Sequence, residues 1–380
     1  MDITQPLQLL GGLTAQQFMK RHWQKKPLLV REAMPIPMCE PDRAQLFALV
    51  ARDEVESRLV TRDARGWQLR HGPFARRALP PRSRPGWTLL VQGVDLHFDG
   101  IHELLHCFRF VPEARLDDVM ISYATDGGGV GPHVDSYDVF LLQAQGRRRW
   151  RFGLQKDLTL QETAPLKILV NFVPAEEYLL EAGDMLYLPP GYAHDGVAEG
   201  ECQTWSIGFR SPGRGEIARE ILQRLAEDAV DVNTDRLYRD RGHPATATPG
   251  AIPPGLQRFA ADAIRAALKK PLVLERALGE YLTEPKANVW FETRPAAGVL
   301  RSAVLDRRTR MMHDMRHIFI NGESWRAAGH DAAALRKLAD QRCLSALDCS
   351  RLSDAAQAQL QAWCEAGWLH DTGGGDGRIV

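Results

Sequence analysis

The period of the apolar residues changes several times along the chain. LTAQQFMKRHWQKK carries Phe18 and Trp23 on one face and predicts a helix; PLLVR predicts a short strand, and MCEPDRAQLFALVARD a second helix. From Val55 the runs become short and β-rich: SRLVTRD, GWQLRHG and GWTLLVQGV, each bounded by Gly, Pro or Asp. One short helix follows around HELLH. After it come DVMISYAT, DVFLLQAQ, RRRWRFG, KILVNFV, YLLEAGD, MLYLPP, HDGVAE and QTWSIGFR. Short strands with turn signals between them predict a β-sandwich or barrel. At SPGRGEIAREILQRLAEDAV the period becomes helical, with Ile217, Ile221, Leu222 and Leu225 recurring. A polar, Pro/Gly-rich stretch leads to a second helix, LQRFAADAIRAALKK. The last hundred or so residues read as strands (VLRSAVLD, RHIFINGESW) and two helices (DAAALRKLADQ, SDAAQAQLQAWCEAG), a small winged-helix-like module.

Composition narrows this only slightly. The 380 residues predict two or three domains, and 44% hydrophobic with 25% charged residues is ordinary for a globular protein. Lys+Arg and Asp+Glu are both 48, so the total charge favours neither nucleic acid nor an anionic membrane, and direct nucleic-acid binding is not expected. No apolar run is long enough to span a membrane, and the first residues lack the pattern of a signal peptide. Six cysteines without C-x-x-C spacing indicate neither a zinc ribbon nor a disulfide framework, so a reducing, cytoplasmic setting is expected.

Two stretches offer metal chemistry. HELLH has the zincin pattern, in which two His one turn apart hold zinc. Its continuation lacks the metzincin third ligand, because Arg109 and Pro112 stand where Gly and His would be needed. Ile101, Leu104, Leu105 and Phe108 form one apolar stripe, which places His102 and His106 on a flank turned toward water. The expectation is an ordinary surface helix. In GPHVDSYDVF, His133 and Asp135 are two apart and leave the same face of a strand. His194, after the Pro-Pro-Gly turn of GDMLYLPPGYAH, supplies a third donor from another strand. Two His and one carboxylate, with coordination positions left open, suit a non-haem Fe(II) oxygenase.

GRRRWRFG adds a second element. In a strand, Arg148, Trp150 and Phe152 share one face, and the aromatic pair marks that face as inward. Arg148 is then the one arginine pointed into the barrel. It needs an anionic partner: a dicarboxylate cosubstrate held by a bidentate contact, a buried Asp or Glu, or RNA facing a basic edge.

GGGVGPHVDSYDVFLLQAQGRRRWRFG, GDMLYLPPGYAHDGVAE and FMKRHWQKKPLLVREA resemble the bacterial JmjC-type ribosomal oxygenases of the cupin superfamily, over most of the first 210 residues. Within that family the likeness is greatest to the arginine hydroxylase of large-subunit ribosomal protein sixteen. The resemblance implies an α+β chain: a double-stranded β-helix (jelly-roll or cupin barrel) over 1–213, a helical dimerisation region over 214–280 and a winged-helix-like domain over 281–380. It implies Fe(II) on His133, Asp135 and His194, with no catalytic residue beyond these ligands. It implies 2-oxoglutarate gripped by Arg148, assisted by Ser122, Thr204 or Ser206, with O2 as second cosubstrate. It also implies a ribosomal-protein substrate and a homodimer. Asp126, in the TDGGGVG loop, and Tyr137 are the candidates to meet an arginine substrate. A cupin-type ligand sensor with a DNA-binding winged helix is the alternative, opposed by the weakly basic C-terminal helices.

Overall fold

Thr14 and Asp42 each begin a helix with a reciprocal capping box. Thr14 and Gln17 cap α1 (Ala15–Arg21), and Asp42 and Gln45 cap α2 (Arg43–Leu49). Between them lies β1 (Leu28–Val30). The computed structural model describes residues 2–35, 41–230, 237–239, 241, 244–245, 247–269, 272–293 and 300–372, and divides into two compact units, Met1–Ser211 and Pro212–Val380. Residues 36–40, which include the first three of the second predicted helix, lie outside the described residues.

The first unit is built on one antiparallel sheet. Its strands are β1, β2 (Ser57–Asp63), β3 (Gly66–His71), β4 (Trp87–Val91), β5 (Leu116–Ala124), β6 (His133–Val134), β7 (Val139–Gly153), β8 (Glu176–Leu180), β9 (Met185–Leu188) and β10 (Ala193–Phe209). The order is β1-β9-β7-β10-β5-β4-β2-β3, with β6 on β10 and β8 on β7. A single helix, α3 (Asp99–His106), stands between β4 and β5. This is the α+β, double-stranded β-helix arrangement that the family resemblance implies.

Three sequence readings change. DVFLLQAQ and RRRWRFG form one strand, β7; HDGVAE and QTWSIGFR likewise form β10. The two long strands pair along their length, with a register break between Glu199 and Gln203. Gly146 sits at that break on β7. Its φ of 66° is left-handed, and a Cβ there would lie 2.2 Å from the Glu201 carbonyl oxygen, so only glycine lets both strands turn together. KILVNFV forms no strand. It belongs to an excursion between β7 and β8 whose one isolated bridge joins Leu160 and Leu169.

The main core packs α1–α3 against one side of the sheet. Phe18 lies edge-on to Tyr187, and Trp23 edge-on to Phe209, both at 5.0 Å. At its margin Asp138, fully buried, accepts hydrogen bonds from Tyr187 Oη (2.6 Å) and Gln24 Nε2 (3.0 Å), with Arg115 Nη2 at 3.3 Å. One carboxylate thus ties the segment after α1 to β7, β9 and the residue before β5. A separate apolar cluster, Val139, Leu141, Trp150, Phe152, Leu180, Leu186 and Leu188, fills the other side of the ladder. That side is the barrel interior.

The second unit begins with α4 (Arg214–Val230), α5 (Pro254–Leu268) and α6 (Val273–Thr283). Its core is completed by β11 (Ala303–Leu305), β12 (Met311–His313), β13 (Ile318–Ile320), β14 (Glu323–Trp325), α7 (Gly329–Gln341), β15 (Cys343–Leu344), α8 (Ala346–Ser350), α9 (Asp354–Glu365) and β16 (Leu369–His370). Strand β11 pairs with both β15 and β16, and β12, β13 and β14 form a meander, so the strands and helices read from the sequence are present. Helix α5 has no buried residue, and Leu256, Ile264 and Leu268 on it are 39%, 63% and 40% exposed.

Candidate active site

Strands β6 and β10 put the histidines side by side: His194 is the cross-strand partner of His133, and their rings lie 4.2 Å apart. Asp135 joins them from just beyond β6, with its Oδ2 3.6 Å from His194 Nε2 and 3.9 Å from His133 Nε2. Each Nδ1 is held by a carbonyl two residues back, His133 by Gly131 (2.9 Å) and His194 by Tyr192 (3.0 Å). Those bonds place the proton on Nδ1 and leave both Nε2 lone pairs facing the same point. Burial, with the His133 ring beside it, pushes the His194 imidazole down to about 4, so it is neutral and able to ligate. Among the described residues this is the only group of three or more His, Cys, Asp or Glu with donor atoms gathered within 4.8 Å.

The donor set is two imidazole nitrogens and one carboxylate oxygen on one side, the arrangement that suits Fe(II) in an oxygenase. HELLH offers no comparable set. His102, however, is buried rather than turned toward water, and its ring lies 4.2 Å from that of His106. The helix is therefore buried on two flanks and not one.

Arg148 is inward, as its alternation with Trp150 and Phe152 requires. It is 4% exposed, and its guanidinium lies 5.8 Å from the Trp150 ring centroid. Cross-strand partners share a face, so Arg148, Trp150 and Phe152 line the same interior as Ala198, Gly196 and His194. Four strand positions separate Arg148 from Phe152, the partner of His194, roughly 13 Å of strand. Nη1 donates to Ser122 Oγ (3.1 Å), whereas Nε and Nη2 are buried without a hydrogen-bond partner. Among the described residues no Asp or Glu neutralises this arginine. A buried cation with two idle donors is the observation that tests the cosubstrate, and a carboxylate meets it.

The other candidates separate clearly. Ser122 Oγ, besides receiving Arg148, donates to the Thr204 carbonyl (3.3 Å). The Thr204 hydroxyl is already engaged, donating to Gln143 Oε1 at 2.8 Å. Ser206 is 8% exposed on the same face, two positions further along β10. Tyr137, 39% exposed, stands next to Asp135; burial, then the charges of Asp135 and Asp118, push its phenol up. Asp126 is not brought to the triad. Its Oδ1 accepts the Gly200 amide (2.8 Å) at the β10 break, six residues and roughly 20 Å of strand from His194.

Asp118 escaped the sequence reading. It is 3% exposed, and its Oδ2 accepts from Gln92 Nε2 (2.8 Å) and the Gly93 amide (3.0 Å). It shares a strand face with Ser122 by simple alternation along β5, and that alternation could have found it.

Comparison with known proteins agrees with this geometry. Residues 103–217 match the JmjC domain, and residues 263–370 match the ROXA-like winged helix. The ribosomal protein uL16 3-hydroxylase of Escherichia coli is 34% identical over 274 residues, which cover 71% of each chain. The chain belongs to the JmjC-type ribosomal oxygenases. A probable ribosomal oxygenase of Haemophilus influenzae is 33% identical over 58% of this chain and 55% of its own. The crystal structure of Escherichia coli ycfD superposes with a TM-score of 0.80 at 28% identity, covering 94% of this chain and 98% of that one. A second structure of that oxygenase, in complex with cobalt and 2-oxoglutarate, gives 0.76 at 28% identity over the same shares. Family, fold and triad make this ribosomal oxygenase an Fe(II)/2-oxoglutarate-type dioxygenase.

Proposed function

We propose that the chain hydroxylates an arginine side chain of large-subunit ribosomal protein uL16, using Fe(II), 2-oxoglutarate and O2. The observation that carries the reading is Arg148: a buried guanidinium with two free donors, inside the barrel that also holds the triad. When bound, the metal and cosubstrate supply the oxidising chemistry; the protein supplies position and dryness. His133, Asp135 and His194 would hold the metal. Arg148 would grip the distal carboxylate of 2-oxoglutarate. Ser122 would fix the guanidinium, and Thr204 and Ser206 would shape the pocket beside it. Tyr137, exposed beside Asp135, offers a ring that suits a guanidinium substrate. Asp126 is assigned to holding the β10 turn.

The layout is read as a catalytic domain over 1–213, a helical dimerisation region over 214–280 and a winged-helix-like domain over 281–380, in a cytoplasmic homodimer. The open apolar face of α5 supports the dimer. No helix among the described residues is long and apolar enough to cross a membrane. The DNA-reading alternative has little to stand on: α9 carries no Lys or Arg, and Lys337 of α7 is paired with Asp348 at 2.6 Å.

The test is turnover. Protein loaded with Fe(II) is incubated with 2-oxoglutarate and uL16, and the products are read by mass spectrometry. The expected result is one added oxygen atom on an arginine, with one succinate formed per hydroxylation. Absence of both, with tight and specific duplex-DNA binding, would support the sensor reading instead.

A further inference from the structure

The balanced total charge conceals a local imbalance. From Arg58 to Arg84 the chain carries eight arginines (58, 62, 65, 70, 76, 77, 82 and 84), no lysine, and one acid, Asp63. The segment comprises β2, the edge strand β3, and the loop that leads to β4. Seven of these arginines are exposed, and Arg58 is half-buried.

Their partners are few. Asp63 lies 3.8 Å from Arg84, and Glu201, shared with Arg43, lies 3.7 Å from Arg82. Arg62, Arg70 and Arg76 rest on aromatic faces, over Trp67 (5.0 Å), Phe74 (5.5 Å) and Phe47 (4.9 Å). The side chains of Arg65 and Arg77 have no partner among the described residues. The preceding acids Asp53, Glu54 and Glu56 sit before β2, and Glu54 is engaged by Arg52. The segment therefore keeps a clear positive excess.

That excess has the wrong sign for a substrate chosen for its arginine. It has the right sign for a phosphate backbone, which guanidinium groups bind through paired donors. Arginines interleaved with a half-exposed tryptophan on a sheet edge also suit unpaired bases, which stack on such surfaces.

We propose that the arginine-rich edge formed by β2, β3 and the following loop, with Arg62 on one side of the sheet and Arg70 on the other, docks single-stranded segments of RNA through their phosphates. The choice of RNA over DNA rests on the proposed ribosomal substrate, a protein whose setting is RNA; the surface itself does not depend on hydroxylation. The test uses the full-length protein and a fluorescein-labelled single-stranded RNA, titrated across a salt series. The comparison variant is Arg65→Gln/Arg77→Gln/Arg84→Gln, which touches none of the triad or cosubstrate residues. We expect affinity to fall at least about tenfold at low salt, and the slope of log K against log salt to drop by about 2, at roughly 0.7 per phosphate contact. Metal content and turnover on an isolated uL16 peptide stay as in the parent. Unchanged RNA affinity in the variant overturns the proposal. So does tighter binding to duplex DNA, or to vesicles of phosphatidylcholine and phosphatidylserine in equal parts. Arginine-dependent RNA binding without any turnover would sink the hydroxylase reading and leave this one standing.

Discussion

Arg148 shows how one side chain can carry functional information. Its inward direction follows from strand alternation alone, because a period of two needs no tertiary context. What the sequence could not supply is the missing acid: only the fold shows that, among the described residues, Ser122 is the guanidinium's sole hydrogen-bond partner. Arg148→Ala should raise the KM for 2-oxoglutarate about tenfold to a hundredfold, the equivalent of about 1.5–3 kcal/mol for a bond to a charged group. Iron content should not change; loss of metal with an unchanged KM would refute the assignment. Ser122→Ala should act in the same direction but by only about fivefold, near 1 kcal/mol. The triad was readable for a similar reason: His133 and Asp135 are adjacent on one face, and the Pro-Gly turn announces His194. Asp138 was not readable, because its partners Gln24 and Tyr187 are remote in sequence, the first by 114 positions. His102 defeated the helical-wheel argument, since a wheel identifies one core-facing stripe and cannot foresee a second neighbour.

Strands and helices depend on how such side chains are accommodated. Strand β10 can pass Trp150 only because residue 196 is glycine, where an added Cβ would stand 2.7 Å from the indole ring. Gly196→Ala should therefore cost about 1–3 kcal/mol through overpacking, read as a lower denaturation midpoint. The cost should shrink when Trp150 is also cut to Ala; equal costs in both backgrounds would place the strain elsewhere. The same dependence explains the reading errors among the elements. KILVNFV has strand composition, yet Val170 and Val173 are 50% and 70% exposed on an excursion where only one bridge forms. β-propensity reports a fit to a half-buried pleated surface, and that surface is absent there. Conversely, β7 and β10 were read as two strands each, because Gly146 and the Glu199–Gly200–Glu201 turn look like breaks and act as bends.

For the molecule as a whole, the open question is what covers α5. A helix with Leu256, Ile264 and Leu268 exposed on one side needs a partner surface, and the proposed homodimer supplies one. Light scattering at micromolar concentration should give twice the chain mass. Ile264→Glu, placing a charge where the helix is 63% exposed, should yield monomers without lowering iron content. A monomeric parent protein would refute the dimer directly. The architecture was legible in outline, as strand-rich and helical stretches separate cleanly along the chain. The pairing order of the strands was not, because it is fixed by contacts between distant segments.

The Asp138 clamp bears on how portable the chemistry is. All three proposed metal ligands and Arg148 fall within 103–217, the stretch that matches the JmjC domain. That stretch looks like a module that could be moved to another protein. It is not self-sufficient. Phe18, Trp23, Phe47 and Trp87 of its core come from before residue 103, and Gln24 holds the buried Asp138 carboxylate. A fragment beginning at residue 103 would leave a large apolar face bare, with one of the carboxylate's donors missing, and should aggregate. Evolution and the engineer meet the same constraint: the reactive centre can be exchanged only together with the hundred residues that precede it.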